Sequence, residues 1–389
     1  MQMAWVGVVA FGMAVSGVAA QAVKAPAAEV EKAVPADVSE AIEAIRAKAG
    51  LPAMAVVVMR GRDVIARGVS GVRKLGDETK ATFDDQWHLG SCTKSMTATL
   101  IGILVEEEKL KWSSTLGEVF PEMDMDEKWK GVTVEQLLAH RAGVPKDLQR
   151  DGMWAALWKA TRDTRAARLD FMRTLFKKPP VHEPGTKYEY ANGGFMIAGA
   201  MAEKVCDKAW EELMQEKVFG PLGIKSAGFG IPGPKGKVEQ PWGHAPLGPV
   251  QSDNPKALGP AGTVHCSLED WGKYIAVHTG GWRSNRAPGE WLLEPESIAK
   301  LHTAYNAPGE KYGFGWGIGK RGWAKGAGGD GTVITHSGSN TTWFCVVWAA
   351  PEKNMAVMVA TNKAGDSAAK ACDDAASEMI KRYFGAGKE

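Results

Sequence analysis

The feature that most constrains the fold of this chain is a set of strand-like segments at both ends, with a helical middle between them. Near the N-terminus, Met54–Met59 and Val64–Val69 are rich in β-branched residues and flank a short polar turn, which is typical of a hairpin. Near the C-terminus, alternating or continuous apolar runs predict strands at Tyr312–Ile318, Thr332–His336, Trp343–Ala349 and Met355–Thr361. We therefore predict an α+β fold, with an antiparallel sheet built from both chain ends and flanked by helices, and an inserted, mainly helical domain.

The helical middle contains one segment that belongs at the centre of the molecule. Ser91–Glu107 is apolar on nearly every side, which predicts a helix buried all round. We expect the sheet part to comprise residues 37–85 and 255–389 and the helical part residues 86–254, with long surface loops over the Pro- and Gly-rich residues 230–260. Helical spacing predicts further helices at Asp37–Ala49, Val134–His140, Leu157–Phe176, Asn192–Glu216 and Lys370–Phe384.

The N-terminal segment has the pattern of an export signal. Ala4–Val18 is apolar and uncharged, and Val18–Ala20 is a small-x-small cleavage pattern. We expect a signal peptide over residues 1–20, a flexible lead over residues 21–36 and a periplasmic or extracellular protein. Since no Lys or Arg precedes the apolar run, an uncleaved anchor remains the alternative.

Charge and residue spacing argue against several classes of partner. The formal charge of +2, from 47 basic and 45 acidic residues, gives no electrostatic attraction to nucleic acid. The eight histidines show no HExxH spacing and the five cysteines no CxxC pair, so neither a metal nor another cofactor is expected. The odd number of cysteines leaves at least one thiol free, and the oligomeric state stays open.

The first chemical motif is an S-x-x-K sequence at Ser91–Lys94. Positions i and i+3 share one face of a helix, so the lysine amine can reach the serine hydroxyl and, when burial lowers its pKa, accept the proton. Two other S-x-x-K sequences, Ser297–Lys300 and Ser367–Lys370, lie on ordinary predicted helices, where short motifs arise by chance. Ser91 differs because it opens a buried helix directly after a glycine.

Two further motifs contain groups suited to acyl chemistry. In Tyr190-Ala191-Asn192, a tyrosine beside a lysine amine can act as general base and then acid, and the amide of Asn192 can hold a carbonyl. The alternative is a turn in which Asn192 caps the next helix. At the end of a strand, Gly338 in His336-Ser337-Gly338 permits close backbone approach, and the following amide can donate to an oxyanion. Its alternative is a strand end with a glycine bulge.

Taken together, these motifs resemble those of the serine β-lactamase and penicillin-binding protein superfamily. The branch with class C β-lactamases, D-alanyl-D-alanine carboxypeptidases, D-aminopeptidases and esterases has the same order of S-x-x-K, Y-x-N and H-x-G, and the resemblance covers roughly residues 40–362. Secondary signatures of that branch stand at Thr133–Pro145, Pro184–Asn192, Val218–Gly223, Pro260–Thr263 and Tyr312–Trp316.

The resemblance implies a mechanism through an acyl-enzyme. Ser91 would attack the carbonyl while Lys94 and Tyr190 manage the proton. The implied substrate-binding residues are Asn192, which orients the acyl group, His336 and Gly338 on the strand, and Ser339, whose amide would form an oxyanion hole with that of the nucleophile. A histidine at 336 replaces the lysine of K-T-G enzymes, which weakens recognition of a substrate carboxylate. Because histidine is partly protonated near neutrality, we expect affinity for carboxylate-bearing β-lactams to rise as the pH falls toward 6.

The function predicted from these residues is hydrolysis of an ester, amide or lactam in a small-molecule or peptide-like acyl substrate. The alternative is a penicillin-binding or sensor protein that acylates once and turns over slowly. A structural protein with a degenerate site is disfavoured, because Ser91, Lys94 and Tyr190 are all present.

Overall fold

The structure is a computed structural model of the 389-residue chain. It describes residues 1–2, 34–149, 152–159, 163–281, 291–305 and 311–385. The predicted export signal therefore lies outside the described residues except for its first two, and so does most of the predicted lead. Among the described residues, no helix has both the length and the apolar character needed to cross a membrane.

The strands form one large sheet, one small sheet and one hairpin. They are β1 (Ala36–Asp37), β2 (Ala53–Arg60), β3 (Asp63–Gly71), β4 (Gln86–His88), β5 (Gly228–Phe229), β6 (Gly243–Ala245), β7 (Gly248–Val250), β8 (Val264–Ser267), β9 (Gly317–Lys320), β10 (Thr332–Ser339), β11 (Phe344–Ala350) and β12 (Met355–Thr361). The large sheet has the order β1-β3-β2-β12-β11-β10-β9, the small sheet the order β4-β8-β5, and β6 pairs with β7.

The middle of the large sheet joins the two ends of the chain. Strand β2 pairs antiparallel with β12 in a register that places Val57 opposite Met358. The other neighbours are also antiparallel, except that the short β1 runs parallel to β3. The predicted α+β fold, with an antiparallel sheet built from both chain ends, is confirmed.

Helices cover both faces of this sheet and fill the middle of the chain. They are α1 (Ser39–Lys48), α2 (Thr93–Glu106), α3 (Leu116–Val119), α4 (Glu127–Lys130), α5 (Val134–Leu138), α6 (Met153–Lys159), α7 (Thr164–Leu175), α8 (Asn192–Cys206), α9 (Trp210–Met214), α10 (Gly220–Leu222), α11 (Gly259–Gly262), α12 (Leu268–Thr279), α13 (Pro295–Leu301) and α14 (Asp366–Tyr383). The predicted helix over residues 157–176 begins anew at Thr164, because the side chain of Asp163 accepts from the N–H groups of Arg165 and Ala166.

Alternation along the strands divides the apolar side chains between two cores. In β2, Ala55 and Val57 belong to the larger core, while Val56 and Val58 belong to the smaller one under α1 and α14. The larger core contains the apolar side chains of α2, α8 and α12. Since successive side chains of a strand point to opposite faces, the sheet lies between two helical layers.

Helix α2 is the centre of the larger core. All of its residues from Thr93 to Leu104 are buried, as the lack of a polar face predicted. Neighbouring helices α8 and α11 pack against it, and these contribute the groups that surround its N-terminal turn. The buried end of α2 thus becomes the meeting point of distant parts of the chain.

Two predicted segments differ from the structure in detail. The predicted strand Tyr312–Ile318 is reduced to β9, because the left-handed Gly315 (φ +77°) bends the backbone against Ser95. The predicted loops over residues 230–260 contain the β6–β7 hairpin, and at their end the buried carbonyl of Pro260 accepts from the Thr97 hydroxyl on α2. Neither local pattern carries information about these long-range contacts.

Candidate active site

Ser91 lies in a short 3₁₀ turn, Gly90–Cys92, between β4 and α2. The N–H of Leu89 donates to the carbonyl of Val264 on β8 at 2.8 Å, which ties the turn to the small sheet. Gly90 has a left-handed φ of +47°, a conformation that residues with a Cβ rarely adopt. The side chain of Ser91 is partly exposed while both of its neighbours are buried, so a substrate can reach the hydroxyl group.

Lys94 presents a buried amine to that hydroxyl group. Its Nζ donates hydrogen bonds to Oγ of Ser91 at 3.0 Å, to Oδ1 of Asn192 at 2.7 Å and to the carbonyl of Ala261 at 2.7 Å. Burial lowers the pKa of Lys94 to about 7, because removal from water disfavours the ammonium form. The amine is therefore close to half-protonated at neutral pH.

The surroundings of Lys94 accommodate both of its protonation states. An ammonium group has three N–H donors for the three acceptors. A neutral amine keeps two donors for the oxygens of Asn192 and Ala261, and its lone pair then accepts the hydroxyl proton of Ser91. Because the carbonyl of Ala261 can only accept, this arrangement directs the lone pair toward the serine.

Tyr190 and Asn192 stand at the beginning of α8, where the chain enters the site. The Tyr190 ring centroid lies 4.9 Å from Nζ of Lys94. Burial raises the pKa of the Tyr190 hydroxyl, and a hydrogen bond with Ser91 opposes that shift. The phenol therefore keeps its proton at neutral pH, which suits it to donate a proton and disfavours the role of general base. The N-cap of α8 is Ala191, and the side chain of Asn192, the first residue of the helix, accepts from the lysine.

His140 is a buried site residue that the sequence did not single out. Its Nδ1 accepts the N–H of Ala191 at 3.1 Å, and its ring centroid lies 4.3 Å from that of Tyr190 and 5.0 Å from that of Tyr312. Burial, followed by the charge of Lys94, lowers the pKa of His140 well below its usual range. The neutral ring packs against Tyr190 and, by accepting the N–H of Ala191, holds this segment in place. The only signal in the sequence was its place in the family-like segment 133–145.

His336 faces away from solvent and is held by Tyr312. Its Nδ1 lies 2.6 Å from the carbonyl of Ser337 and its Nε2 3.1 Å from the Tyr312 hydroxyl. A neutral ring with its proton on Nδ1 donates to that carbonyl and accepts from the tyrosine. Burial, with the charge of Lys94 second, lowers the pKa of His336 to about 4. The expectation that this histidine gains a proton as the pH falls toward 6 is therefore wrong.

Two glycines allow β10 to touch the turn that contains Ser91. A Cβ on Gly338 would lie 2.0 Å from the carbonyl oxygen of Leu89, and a Cβ on Gly90 would lie 2.4 Å from the backbone N of Ser339. Only backbones without side chains approach so closely. The amides of Ser91 and Ser339, predicted to form an oxyanion hole, thus belong to adjoining backbone segments.

The other two S-x-x-K motifs have different surroundings. Both lie at the beginnings of helices, α13 and α14. Lys300 forms an ion pair with Glu135 at 2.5 Å, and Lys370 one with Asp374 at 2.7 Å. Each of these amines is thus paired with a carboxylate on a side chain that solvent reaches, unlike the buried amine of Lys94.

The cysteines are free thiols, and the pair nearest the site is buried. Sγ of Cys92 lies 3.6 Å from Sγ of Cys345, and each thiol also meets a backbone carbonyl. In the described part of the chain, no group of three or more His, Cys, Asp or Glu side chains is arranged to hold a metal ion.

Comparison with known sequences finds one family along nearly the whole described chain. The profile of the Beta-lactamase family matches residues 38–378. The unguisins hydrolase ungD' of Aspergillus campestris is 25% identical over 65% of this chain and 47% of its own length. The beta-lactamase of Escherichia coli K12 is 27% identical over 68% of this chain and 66% of its own length. The chain thus spans about half of the first relative and about two thirds of the second.

Comparison with solved structures finds the same architecture. The octameric penicillin-binding protein homologue from Pyrococcus abyssi superposes with a TM-score of 0.69 at 24% sequence identity. The match covers 88% of this chain and 76% of the other. At that level of identity the likeness concerns the fold.

Proposed function

The chain belongs to the beta-lactamase family, and we propose that it is a serine acyl hydrolase that works through an acyl-enzyme on Ser91. The observation that carries this proposal is the buried amine of Lys94, 3.0 Å from Oγ of Ser91 and with its pKa lowered to about 7. At neutral pH about half of this amine is uncharged and able to accept the serine proton.

Acylation begins with a proton transfer inside this pair. The hydroxyl proton of Ser91 moves to Nζ of Lys94 while Oγ forms a bond to the carbonyl carbon of the substrate. The electron pair of the C=O bond moves onto its oxygen, and the N–H groups of Ser91 and Ser339 stabilise the resulting oxyanion. A donor of this kind contributes about 10²–10³-fold to kcat in serine hydrolases.

Collapse of the tetrahedral intermediate requires a proton on the leaving group. Tyr190 retains its proton at neutral pH and contacts Ser91, so it donates to the departing oxygen or nitrogen and recovers a proton from Lys94. The bond between the carbonyl carbon and the leaving group breaks, and its electron pair leaves with that group. Water then attacks the acyl-enzyme, gives its proton to the same relay, and Ser91 departs reprotonated.

The preferred substrate class follows from His336. In this position a neutral imidazole, already bonded to Tyr312 and the Ser337 carbonyl, offers a substrate carboxylate no Coulomb attraction. We therefore propose that uncharged acyl donors, such as short esters, are turned over faster than carboxylate-bearing β-lactams.

Covalent labelling tests the assignment of the nucleophile. A fluorophosphonate probe should label the wild type and fail to label Ser91→Ala. Ser297→Ala and Ser367→Ala serve as matched controls with the same motif, and both should label as the wild type does. Persistent labelling of a folded Ser91→Ala protein would refute the assignment.

A second measurement tests the substrate class. The ratio of kcat/KM for p-nitrophenyl butyrate to that for nitrocefin cancels the ionisations that both reactions share. We expect this ratio to favour the ester and to stay constant between pH 6 and pH 8, because the pKa of His336 is about 4. His336→Lys should lower the ratio at pH 8 by introducing a charge. A ratio that changes tenfold between pH 6 and 8, or a lysine variant without effect, contradicts the proposed role of His336.

The second candidate function is a penicillin-binding or sensor protein that acylates once and turns over slowly. The fold that this chain shares with a penicillin-binding protein homologue is the reason to test it. A burst of product equal to the enzyme concentration, followed by no steady-state release, identifies it. Continued release after the burst excludes it.

We also propose that the protein is exported, on the basis of the apolar segment Ala4–Val18. Expression of the full chain in a Gram-negative host, followed by fractionation and N-terminal sequencing, tests this. A mature protein that begins at Gln21 in the periplasmic fraction supports cleavage, whereas an intact chain in the cytoplasm contradicts export.

A further inference from the structure

A buried histidine holds the backbone immediately before the nucleophile. His88, the last residue of β4, is 1% exposed. Its Nδ1 accepts the N–H of Gly90 at 3.1 Å. An acceptor at Nδ1 requires the ring proton to be on Nε2 when the imidazole is neutral. The orientation of this ring therefore helps to fix the left-handed conformation of Gly90, one residue before Ser91.

The second ring nitrogen of His88 faces a carboxylate from a distant loop. Nε2 lies 2.7 Å from Oδ1 of Asp253, whose side chain is only 10% exposed. With its proton on Nε2, the ring presents that edge to the carboxylate while Nδ1 is free to accept. The chain after Asp253 leads into α11, where the carbonyl of Ala261 accepts from Lys94.

The same carboxylate oxygen also contacts the end of β10. Nδ2 of Asn340 donates to Oδ1 of Asp253 at 3.1 Å. Oδ1 of Asn340 in turn accepts the N–H groups of Thr342 and Trp343, both at 3.1 Å, so this side chain organises the turn that follows Ser339. Among the described residues, Oδ2 of Asp253 has no hydrogen-bond partner. Oδ1 makes both contacts: a hydrogen bond from Asn340, and a close contact with Nε2 of His88 that lacks hydrogen-bond geometry.

These contacts join the two backbone segments whose amides would bind an oxyanion. One segment runs from His88 to Ser91 and the other from Ser339 to Asn340, and Asp253 touches a side chain of each. An oxyanion hole depends on donors held at fixed positions before the reaction begins. A carboxylate that contacts both segments restrains their separation.

We propose that Asp253 is a positioning residue that holds the two halves of the oxyanion hole in register through His88 and Asn340. Its catalytic consequence rests on the proposed function, because the hole matters only if an oxyanion forms there. The structural consequence, which is the restraint of the two segments, does not rest on the proposed function.

The structural consequence is tested by hydrogen exchange in the full chain. Asp253→Ala should increase amide exchange in two separate regions, residues 88–92 and 337–343, relative to the wild type. Asp270→Ala is the matched control, because Asp270 is also a buried carboxylate that accepts backbone N–H groups, those of Lys225 and Ser226, on another part of the molecule. Unchanged exchange in either of the two regions overturns the proposal, whatever the activity.

The catalytic consequence is tested by kinetics with a p-nitrophenyl ester. A loosened oxyanion hole affects the transition state more than the ground state. Asp253→Ala should therefore lower kcat by about tenfold or more while KM changes by no more than about threefold. Binding of a boronate transition-state analogue should weaken in parallel with kcat. Asp270→Ala should leave kcat and boronate affinity unchanged. Asp253→Asn, which keeps an oxygen acceptor and the size of the side chain, should recover part of kcat and serves if the alanine variant does not fold.

The outcomes separate the two proposals. If the wild type is active and Asp253→Ala and Asp270→Ala reduce kcat equally, the positioning role is overturned. A change in Asp253→Ala that is confined to KM overturns it as well. A wild type that neither labels nor turns over substrate refutes the proposed function. In that case, increased exchange in both regions of Asp253→Ala still supports the restraint.

Discussion

At the scale of single residues, the properties of the site depend on a lysine that has been removed from water. Lys94 lies between Ser91, Asn192 and Ala261, and burial lowers its pKa to about 7 from an ordinary value of 10.5. The same burial that makes the amine a base opposes folding while the amine is charged. Activity and stability are therefore coupled at this residue.

The first prediction concerns that coupling. Between pH 7 and pH 10.5 the unfolded chain binds more protons at Lys94 than the folded chain does, so this residue makes the wild type more stable as the pH rises. Lys94→Met lacks the titrating group and should lack this rise. Denaturant unfolding at pH 7 and pH 9.5 should show the free energy of unfolding of the variant, relative to wild type, falling as the pH rises. Parallel changes in the two proteins contradict the lowered pKa.

The second prediction concerns the proton relay. Lys94→Ala and Tyr190→Phe should each reduce turnover by about 10²-fold or more, the usual scale for general acid–base groups. In the proposed relay the two groups pass one proton, so the double variant should lose little more than the worse single variant. Steady-state kinetics of the three variants with one ester measures this. Losses that simply multiply would show that the groups act independently.

At the scale of elements, the site exists because a strand and a turn touch through their backbones. Gly338 on β10 and Gly90 before α2 leave no room for a Cβ, and this contact brings the amide of Ser339 beside the turn that contains Ser91. Neither glycine contributes a functional group. They matter because, without a Cβ, they allow the two backbone segments to come into contact.

The third prediction tests this contact. Gly338→Ala would place a methyl group 2.0 Å from the carbonyl oxygen of Leu89 and force the two segments apart. We expect a loss of stability of about 1–3 kcal/mol, as for other overpacking changes, together with a loss of kcat of at least about 10²-fold, the effect of losing one oxyanion donor.

A glycine on the neighbouring strand provides the control for this variant. A Cβ on Gly319 of β9 would meet Val333 at an ordinary 3.5 Å. Gly319→Ala should therefore be nearly neutral for both stability and kcat, as measured by denaturant unfolding and ester hydrolysis. If Gly338→Ala and Gly319→Ala had equal effects, the loss could not be attributed to the contact between Gly338 and Leu89.

At the scale of the whole molecule, a buried arginine connects the helical part around the site. The guanidinium of Arg168 on α7 bonds to Glu203 on α8, to Glu211 on α9 and to the carbonyl of Ala257 just before α11. Burial raises the pKa of Glu203, and the charge of Arg168 opposes that shift. Since α8 and α11 also hold Asn192 and Ala261, this cluster supports the surroundings of Lys94 from behind.

The fourth prediction tests the cluster. Arg168→Met leaves the carboxylate of Glu203 buried without its partner and should cost about 3–5 kcal/mol of stability. The double variant Arg168→Met/Glu203→Gln should recover part of that loss. Arg165→Met, on the same helix as Arg168, removes an exposed ion pair with Asp207 and should cost less than about 1 kcal/mol. Denaturant unfolding compares the three, and a similar cost for Arg168 and Arg165 would contradict the importance of burial.

By itself, the sequence determined the fold class and the order of the motifs along the chain. Alternating apolar residues in the strands and the all-round apolar surface of α2 are local patterns, and local patterns suffice to predict a sheet built from both ends around a buried helix. The contact between Ser91 and Lys94 also followed from spacing, because positions i and i+3 are neighbours on any helix.

Only the tertiary structure decided the chemical states of the site. Lys94 meets Asn192 and Ala261 across 98 and 167 residues of sequence, and its pKa depends on that enclosure. His336 was expected to titrate near neutrality, but burial keeps it neutral. The roles of His140 and Asp253 arise from contacts between distant segments. Burial and through-space distance set a pKa and orient a ring, and neither quantity can be read from the order of residues alone.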